Sequence, residues 1–264
     1  SLRESMTVPE LVSAFVQGTA ATNVFNFTIL PGETIPSIKA KLINHGYSEQ
    51  EITAALTKDY SSHPELSELL ASKPKEVSLE GYLYGETYQF YKQETVENIL
   101  IRVMRELAVV VKSNHLVDAY QKRGLTLHQG ITLASIVQKE AKSPDQPGVA
   151  QVFLLRYQRG EMLGSDVTAS YAANLLDPER KIYNNNDAIL KIDSPYNTRK
   201  KAGLPPGAIS SPGLSALLAV SNPAEASYLY FLTGDDGKMY YSHTESEHNQ
   251  KITAHCRSLC NAKL

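Results

Sequence analysis

The chain contains no tryptophan, only two cysteines in 264 residues, and no excess of charge of either sign. Each shortage closes off a class of protein. Lys and Arg number 26 against 28 Asp and Glu, a net charge of -2, which argues against bulk electrostatic binding to nucleic acid or to an anionic membrane. No stretch approaches the roughly 18 consecutive apolar residues that span a bilayer. Runs such as Leu107–Val111 and Leu217–Val220 have the length of core segments. Cys256 and Cys260 stand four positions apart. On one continuous helix they share a face with parallel side chains, a poor geometry for a disulfide, so an unbridged pair on a terminal helix is expected. Zinc would need two more ligands; His248 and His255 are near, but no metal and no other cofactor is expected. Also missing are a P-loop, a G-x-G-x-x-G after a strand, an H-E-x-x-H and a G-x-S-x-G, which removes the commonest nucleotide, metalloprotease and serine-hydrolase templates.

What is present is the composition of an ordinary folded chain, 42% hydrophobic and 20% charged, which excludes disorder or coiled coil as a description of the whole. The length allows one large domain or two modest ones. Residues 1–23 read as an N-terminal helical segment, with a short helix from Pro9 to Gln17. Phe25, Phe27 and Ile29 then alternate with polar residues as a half-buried strand does, ended by Pro31-Gly32. Thr34 is the expected N-cap of a helix carrying Ile35, Ile38 and Leu42, closed by Gly46. Ser48 and Glu51 form a capping box for a second helix, and Pro64 suits the start of a short one ending near Ala71. The polar, proline-containing stretch Ser72–Glu76 is the best boundary candidate. Beyond it the spacing predicts a long helix through Val96–Val111, then helices over 116–123, 126–142 and 148–159. Tyr228–Thr233, Asp235-Asp236-Gly237 and Lys238–Ser242 read as a hairpin, and Thr244 with Glu247 caps the last helix.

One segment carries a chemical signal. In Thr126–Ala141, Thr126 and Gln129 form a capping box, while Leu133, Ile136 and Val137 line an apolar stripe. Glu140 lies seven, four and three residues after these, near the middle of the stripe, so a carboxyl group continues the buried face of a helix. Partial desolvation and the negative end of the helix dipole would both raise its pKa, and a carboxyl held protonated near neutral pH is what a general acid requires. Helix geometry alone leaves open the plainer alternative, that the helix leaves the core before Glu140. A second cluster is Ser194-Pro195-Tyr196-Asn197-Thr198, followed by a stiff loop from Gly203 to Gly213 that could position Tyr196 and Asn197 or simply cross the molecule. Asp166, after a helix ending at Gly160, reads more readily as a cap than as a ligand. His248 is expected to be a hydrogen-bonded structural residue. Tyr82, Tyr84 and Tyr88 are placed on one strand face, where they would either pack or stack on sugar rings.

These segments, in this order, resemble the YceG-like endolytic murein transglycosylases. The resemblance rests on Leu79-Glu80-Gly81-Tyr82 with Glu86-Thr87-Tyr88, on Ala134-Ser135-Ile136-Val137-Gln138-Lys139-Glu140, on Ser165-Asp166, on Pro195-Tyr196-Asn197-Thr198, on Gly203–Gly207, on Tyr228-Leu229-Tyr230-Phe231 and on Glu247-His248-Asn249, over residues 24 to about 250. It implies an α+β chain: a small LysM-like subdomain at 24–72, then a larger mixed helix and strand catalytic domain at 73–264. It implies a catalytic acid/base at Glu140, with Glu80, Asp166, Tyr196 and Asn197 shaping the cleft and binding sugar. The implied reaction cleaves the bond between N-acetylmuramic acid and N-acetylglucosamine within glycan strands, leaving 1,6-anhydro ends, without metal or other cofactor. The implied partners are peptidoglycan glycan strands and cell-wall synthases, not nucleic acid. The implied location is the extracytoplasmic face of the bacterial cytoplasmic membrane, through an N-terminal anchor that this chain does not contain. Gln138, Gly85, Val167, Arg199 and Met239 depart from the family pattern. Two other readings stay open: a non-catalytic glycan-binding or scaffold protein of the cell-wall machinery, and a hydrolase using Asp166 as base.

Overall fold

The computed structural model describes residues 7–8, 23–178 and 187–261. The helix expected over Pro9–Gln17 therefore lies outside the described residues. The alternating segment forms β1 (Val24–Thr28), followed by α1 (Ile35–Asn44) and α2 (Glu49–Thr57). The Ser48–Glu51 capping box is present in full, with Ser48 Oγ accepting from Glu51 N–H and the Glu51 carboxylate accepting from Ser48 N–H. Thr34 does occupy the N-cap position of α1, but its side chain makes no capping bond. The Ile35 N–H donates instead to both carboxylate oxygens of Glu80, at 3.2 and 3.0 Å. The short helix near Pro64 is α3 (Ser67–Leu70), confined to one turn.

β2 (Thr87–Tyr91) pairs antiparallel with β1, Phe27 opposite Tyr88 and Phe25 opposite Phe90. This sheet joins segments on the two sides of Ser72–Glu76, and one hydrophobic cluster runs from Phe27 and Ile52 through Leu107 and Ile136 to Val220. Residues 79–86 are irregular, so Tyr82, Tyr84 and Tyr88 do not share a strand face: the strand begins only at Thr87. All three rings are buried, which removes them as platforms for sugar. Tyr82 meets His128 at 2.9 Å between its hydroxyl and Nδ1, and His128 Nε2 lies 2.8 Å from the Pro206 carbonyl. A carbonyl only accepts, so Nε2 carries the proton and Nδ1 accepts from Tyr82; burial lowers the His128 pKa and keeps the ring neutral. Gly81 turns the chain here at φ +85°, and a Cβ on it would stand 2.3 Å from that of Ala208.

The helical body comprises α4 (Val96–Ser113), α5 (Leu116–Gln121), α6 (Leu127–Glu140), α7 (Gln146–Gln158), α8 (Asp166–Leu176), α9 (Asp187–Leu190) and α10 (Leu214–Ser221). α6 is the central element. It is packed by α5, α7, α8 and α10, and every residue from Gly130 to Val137 is buried. A helix with a single apolar stripe would bury only that stripe; here neighbours on several sides bury the polar positions too. Ser135 is accommodated by bonds to the Gly203–Gly213 loop: its Oγ accepts from Ile209 N–H, and its carbonyl accepts from Ser210 Oγ.

The hairpin is β3 (Tyr230–Thr233) and β4 (Met239–Ser242), antiparallel, with Tyr230 opposite Ser242. It docks on α7 through Phe231 against Phe153 and through the Arg156 guanidinium over the Tyr230 ring. α11 (Glu245–His255) opens with the Thr244 side chain accepting from Glu247 N–H, and α12 (Arg257–Asn261) follows. His248 stacks on Tyr230 at 5.2 Å, but its buried Nδ1 has no hydrogen-bond partner among the described residues, contrary to expectation. The expectation of unbridged cysteines is also overturned: Cys256 and Cys260 form a disulfide with Cα atoms 5.3 Å apart. The cause is local. Helical geometry stops at Cys256 (φ -135°, ψ 50°), so the two side chains do not run parallel along one helix. Among the described residues no helix is long and apolar enough to cross a membrane, and no three His, Cys, Asp or Glu side chains gather as metal ligands would.

Candidate active site

Glu140 is the last residue of α6. The Thr126–Gln129 capping box starts this helix, and the extended Ala141 (φ -143°, ψ 151°) ends it. The helix stays inside the core through Val137. It then surfaces with Gln138 and Glu140 half-buried and Lys139 exposed. The carboxyl group thus stands where a buried helix meets solvent, between the two arrangements that helix geometry left open. Gln138 also turns inward, its Oε1 accepting from Gly213 N–H at 2.9 Å. That bond, with Gly32 N–H donating to the Ser211 carbonyl, ties the loop after β1 and the Gly203–Gly213 loop to the end of α6.

α8 brings Ser165 and Asp166 to Glu140. Ser165 occupies the N-cap of α8 but makes no capping bond with its side chain. Its Oγ donates instead to Glu140 Oε1 at 2.5 Å. Ser165 is only 2% exposed. Its carbonyl accepts from Thr168 Oγ1, its N–H donates to Thr198 Oγ1, and the Thr168 and Thr198 hydroxyls meet at 2.8 Å. Asp166 is the first residue of α8 and pairs with Arg199 at 2.6 Å; the same guanidinium donates to the Gly164 carbonyl. Arg199, a departure from the family pattern, is therefore built into the start of α8.

The remaining candidates gather beside this group. Glu80 is buried, and its carboxylate accepts from Ile35 N–H and, at 3.4 Å, from Tyr171 O–H. Burial pushes its pKa up to about 7 against the opposing pull of the Ile35 and Tyr171 hydrogen bonds and of Lys139. Tyr171, on α8, packs against half-buried Tyr196 with ring centroids 5.1 Å apart. Burial raises the pKa of both tyrosines, with the Glu80 charge adding to it. Asn197 is fully buried. Its amide donates to the Leu190 and Ile192 carbonyls, and its Oδ1 accepts from Arg199 N–H.

Glu140, Asp166 and Tyr196 are thus at or near the surface of one region, while Glu80 and Asn197 lie beneath it. Both are buried, Glu80 with a backbone and a tyrosine partner and Asn197 with backbone partners. Sequence reasoning placed Ser165 and Thr198 in motifs without giving either a role, and did not name Thr168 or Tyr171. The one local signal was a hydroxyl pair three residues apart, Ser165 and Thr168, at a helix start. Chemically, the arrangement offers a half-buried carboxyl group with one oxygen held by a buried hydroxyl, suited to giving and then recovering a proton.

The chain is similar to an endolytic murein transglycosylase of Bacillus subtilis, 29% identical over 262 residues, covering 94% of this chain and 70% of that protein. It is also similar to an endolytic murein transglycosylase of Streptococcus pneumoniae strain R6, 32% identical over 206 residues, covering 76% of this chain but only 37% of the longer relative. A 2.6 Å crystal structure of a yceG-like protein from Listeria monocytogenes superposes with a TM-score of 0.73 at 26% identity, covering 94% of this chain and 82% of that one. The YceG-like family profile matches residues 1–254, and the chain belongs to that family.

Proposed function

We propose that this chain is an endolytic murein transglycosylase with Glu140 as its acid/base. The observation that carries the reading is the place of Glu140: the end of a buried helix, half-buried, and held by Ser165 at 2.5 Å. Protonated Glu140 donates to the oxygen leaving C1 of N-acetylmuramic acid, and the C1–O bond breaks with its electron pair on that oxygen. The cation-like sugar is captured by its own C6 hydroxyl, whose proton passes to the Glu140 carboxylate. The products are a 1,6-anhydro end and a free hydroxyl on the next sugar, with the carboxyl regenerated and no water consumed. One carboxyl serves in both steps, so the paired carboxylates of hydrolytic glycosidases are not required. Asp166 with Arg199, and Tyr196, supply polar and aromatic groups for sugar. The enzyme acts on peptidoglycan strands at the extracytoplasmic face of the cytoplasmic membrane, alongside cell-wall synthases, with residues 24–72 as its LysM-like unit.

Mass spectrometry of purified peptidoglycan treated with the chain and with Glu140→Gln tests this. Internal fragments with 1,6-anhydro ends, each a water lighter than a hydrolytic end, are expected from the native chain and not from the variant. Reducing ends would make it a hydrolase and direct attention to Asp166. Intact protein, good substrate and no product would favour a glycan-binding scaffold.

A further inference from the structure

We infer that Ser165 is a positioning residue for Glu140: its buried hydroxyl fixes the carboxyl's direction and stabilises the carboxylate that forms once the proton has been given up. The inference rests on the proposed role of Glu140 and adds a residue to it.

Three observations carry it. First, the hydroxyl is not used where a serine at a helix N-cap ordinarily uses it. A capping serine accepts from an N–H of the first turn, whereas Ser165 makes no such bond and donates to Glu140 Oε1. Second, the hydroxyl has little freedom to do anything else. Ser165 is 2% exposed, and its backbone is held on both sides, the N–H by Thr198 Oγ1 and the carbonyl by Thr168 Oγ1. Thr168 and Thr198 are themselves buried and bonded to each other, so the rotor sits on a rigid base. Third, the direction of the bond suits a carboxyl that changes charge. The O–H donor on Oε1 becomes a stronger, charge-assisted one when the carboxylate forms. The hydroxyl therefore favours the ionised product of the first step and holds it for the second.

The charged groups around this pair come from every adjoining element. Lys139 and Lys142 flank Glu140 in the chain. Asp166 and its partner Arg199 lie beside Ser165, and the Arg156 guanidinium of α7 is bonded to the Leu163 carbonyl. Tyr171 lies farther along α8, and its hydroxyl donates to Glu80 of the irregular 79–86 segment. Ser165→Ala alters none of them, so a change in Glu140 titration on that substitution reports the lost hydroxyl.

The experiment compares the native chain, Ser165→Ala and Ser165→Thr by carbon-13 NMR of the glutamate carboxyls, with Glu140 assigned by its absence from Glu140→Gln. Peptidoglycan cleavage is followed across pH in parallel. In Ser165→Ala the Glu140 titration midpoint is expected to rise by about one unit, and the alkaline limb of activity to move up with it, because the ionised form has lost a donor. The rate at the optimum is expected to fall about 10- to 100-fold, the range for losing a hydrogen bond to a charged group. Ser165→Thr, which keeps the hydroxyl, should restore the native midpoint. Thermal melts identify a variant that fails to fold, and the Thr variant then decides by its midpoint. A midpoint and limb unchanged in folded Ser165→Ala would overturn the inference. Absence of anhydro products from the native chain would instead count against the proposed reaction, while the NMR midpoint still reports on the Ser165 bond.

Discussion

Glu80 places a carboxyl group in the core with a backbone N–H of α1 and a tyrosine hydroxyl of α8 as its partners. Neither partner carries a full charge, so desolvation prevails and the pKa rises from the ordinary 4.5 to about 7. The folded state therefore binds the proton more tightly than the unfolded chain does. The contribution to stability is complete below pH 4.5, is lost as pH rises, and is gone above about pH 7, a change of roughly 3 kcal/mol for such a shift. Glu80→Gln cannot ionise. Denaturant unfolding at pH 5 and pH 8 is expected to show the variant gaining about that much relative to the native chain at the higher pH. An equal difference at both pH values would mean that Glu80 is not desolvated as described. Asp166 and Arg199 are the opposite case: a half-exposed pair at 2.6 Å, worth no more than about 1 kcal/mol to stability, whose use is to order the start of α8.

Among the elements, α6 carries the site, and its burial on several sides is made possible by small residues. Gly130 shows how closely its neighbours approach. A Cβ there would lie 2.0 Å from a ring carbon of Tyr120, which is itself fully buried with its hydroxyl donating to the Leu217 carbonyl. Ala normally improves a helix over Gly by about 1 kcal/mol. Here the overpacking is the larger effect, and Gly130→Ala is expected to lower stability by about 1–3 kcal/mol in chemical denaturation. A gain in stability would show that Tyr120 can move aside without loss. The capping boxes, the hairpin and the α6 stripe are all local patterns, and all were legible in the sequence. The Cys256–Cys260 bridge was not, because the expectation assumed an unbroken helix, whereas helical geometry stops at Cys256.

At the scale of the whole molecule, β1 takes its strand partner from beyond residue 72, and the aromatic residues of that sheet join the same core as α4 and α6. Phe27 and Phe90 are each almost wholly buried, and such a side chain contributes about 1.5–3 kcal/mol through burial. Glu80 adds a polar tie between α1 and α8. Calorimetry is therefore expected to show one unfolding transition, with the calorimetric and van't Hoff enthalpies equal. Two separated transitions would mean that residues 24–72 unfold on their own and that the shared core couples them only weakly.

The sequence by itself determined many of the helices and strands, among them the helix that carries Glu140 near its C-terminal end, while the α+β class came with the family resemblance. Such elements depend on residues within a few positions of one another, where helical and strand periodicity and capping chemistry act directly. Only the tertiary structure decided the partners: Ser165 for Glu140 across 25 positions, Arg199 for Asp166 across 33, and Glu80 for Ile35 across 45. It also decided that Tyr82, Tyr84, Glu80 and Asn197 lie inside while Asp166 and Tyr196 stay near the surface. The physical reason is that periodicity tells which face of an element is covered, and burial and hydrogen bonding depend on which distant element does the covering.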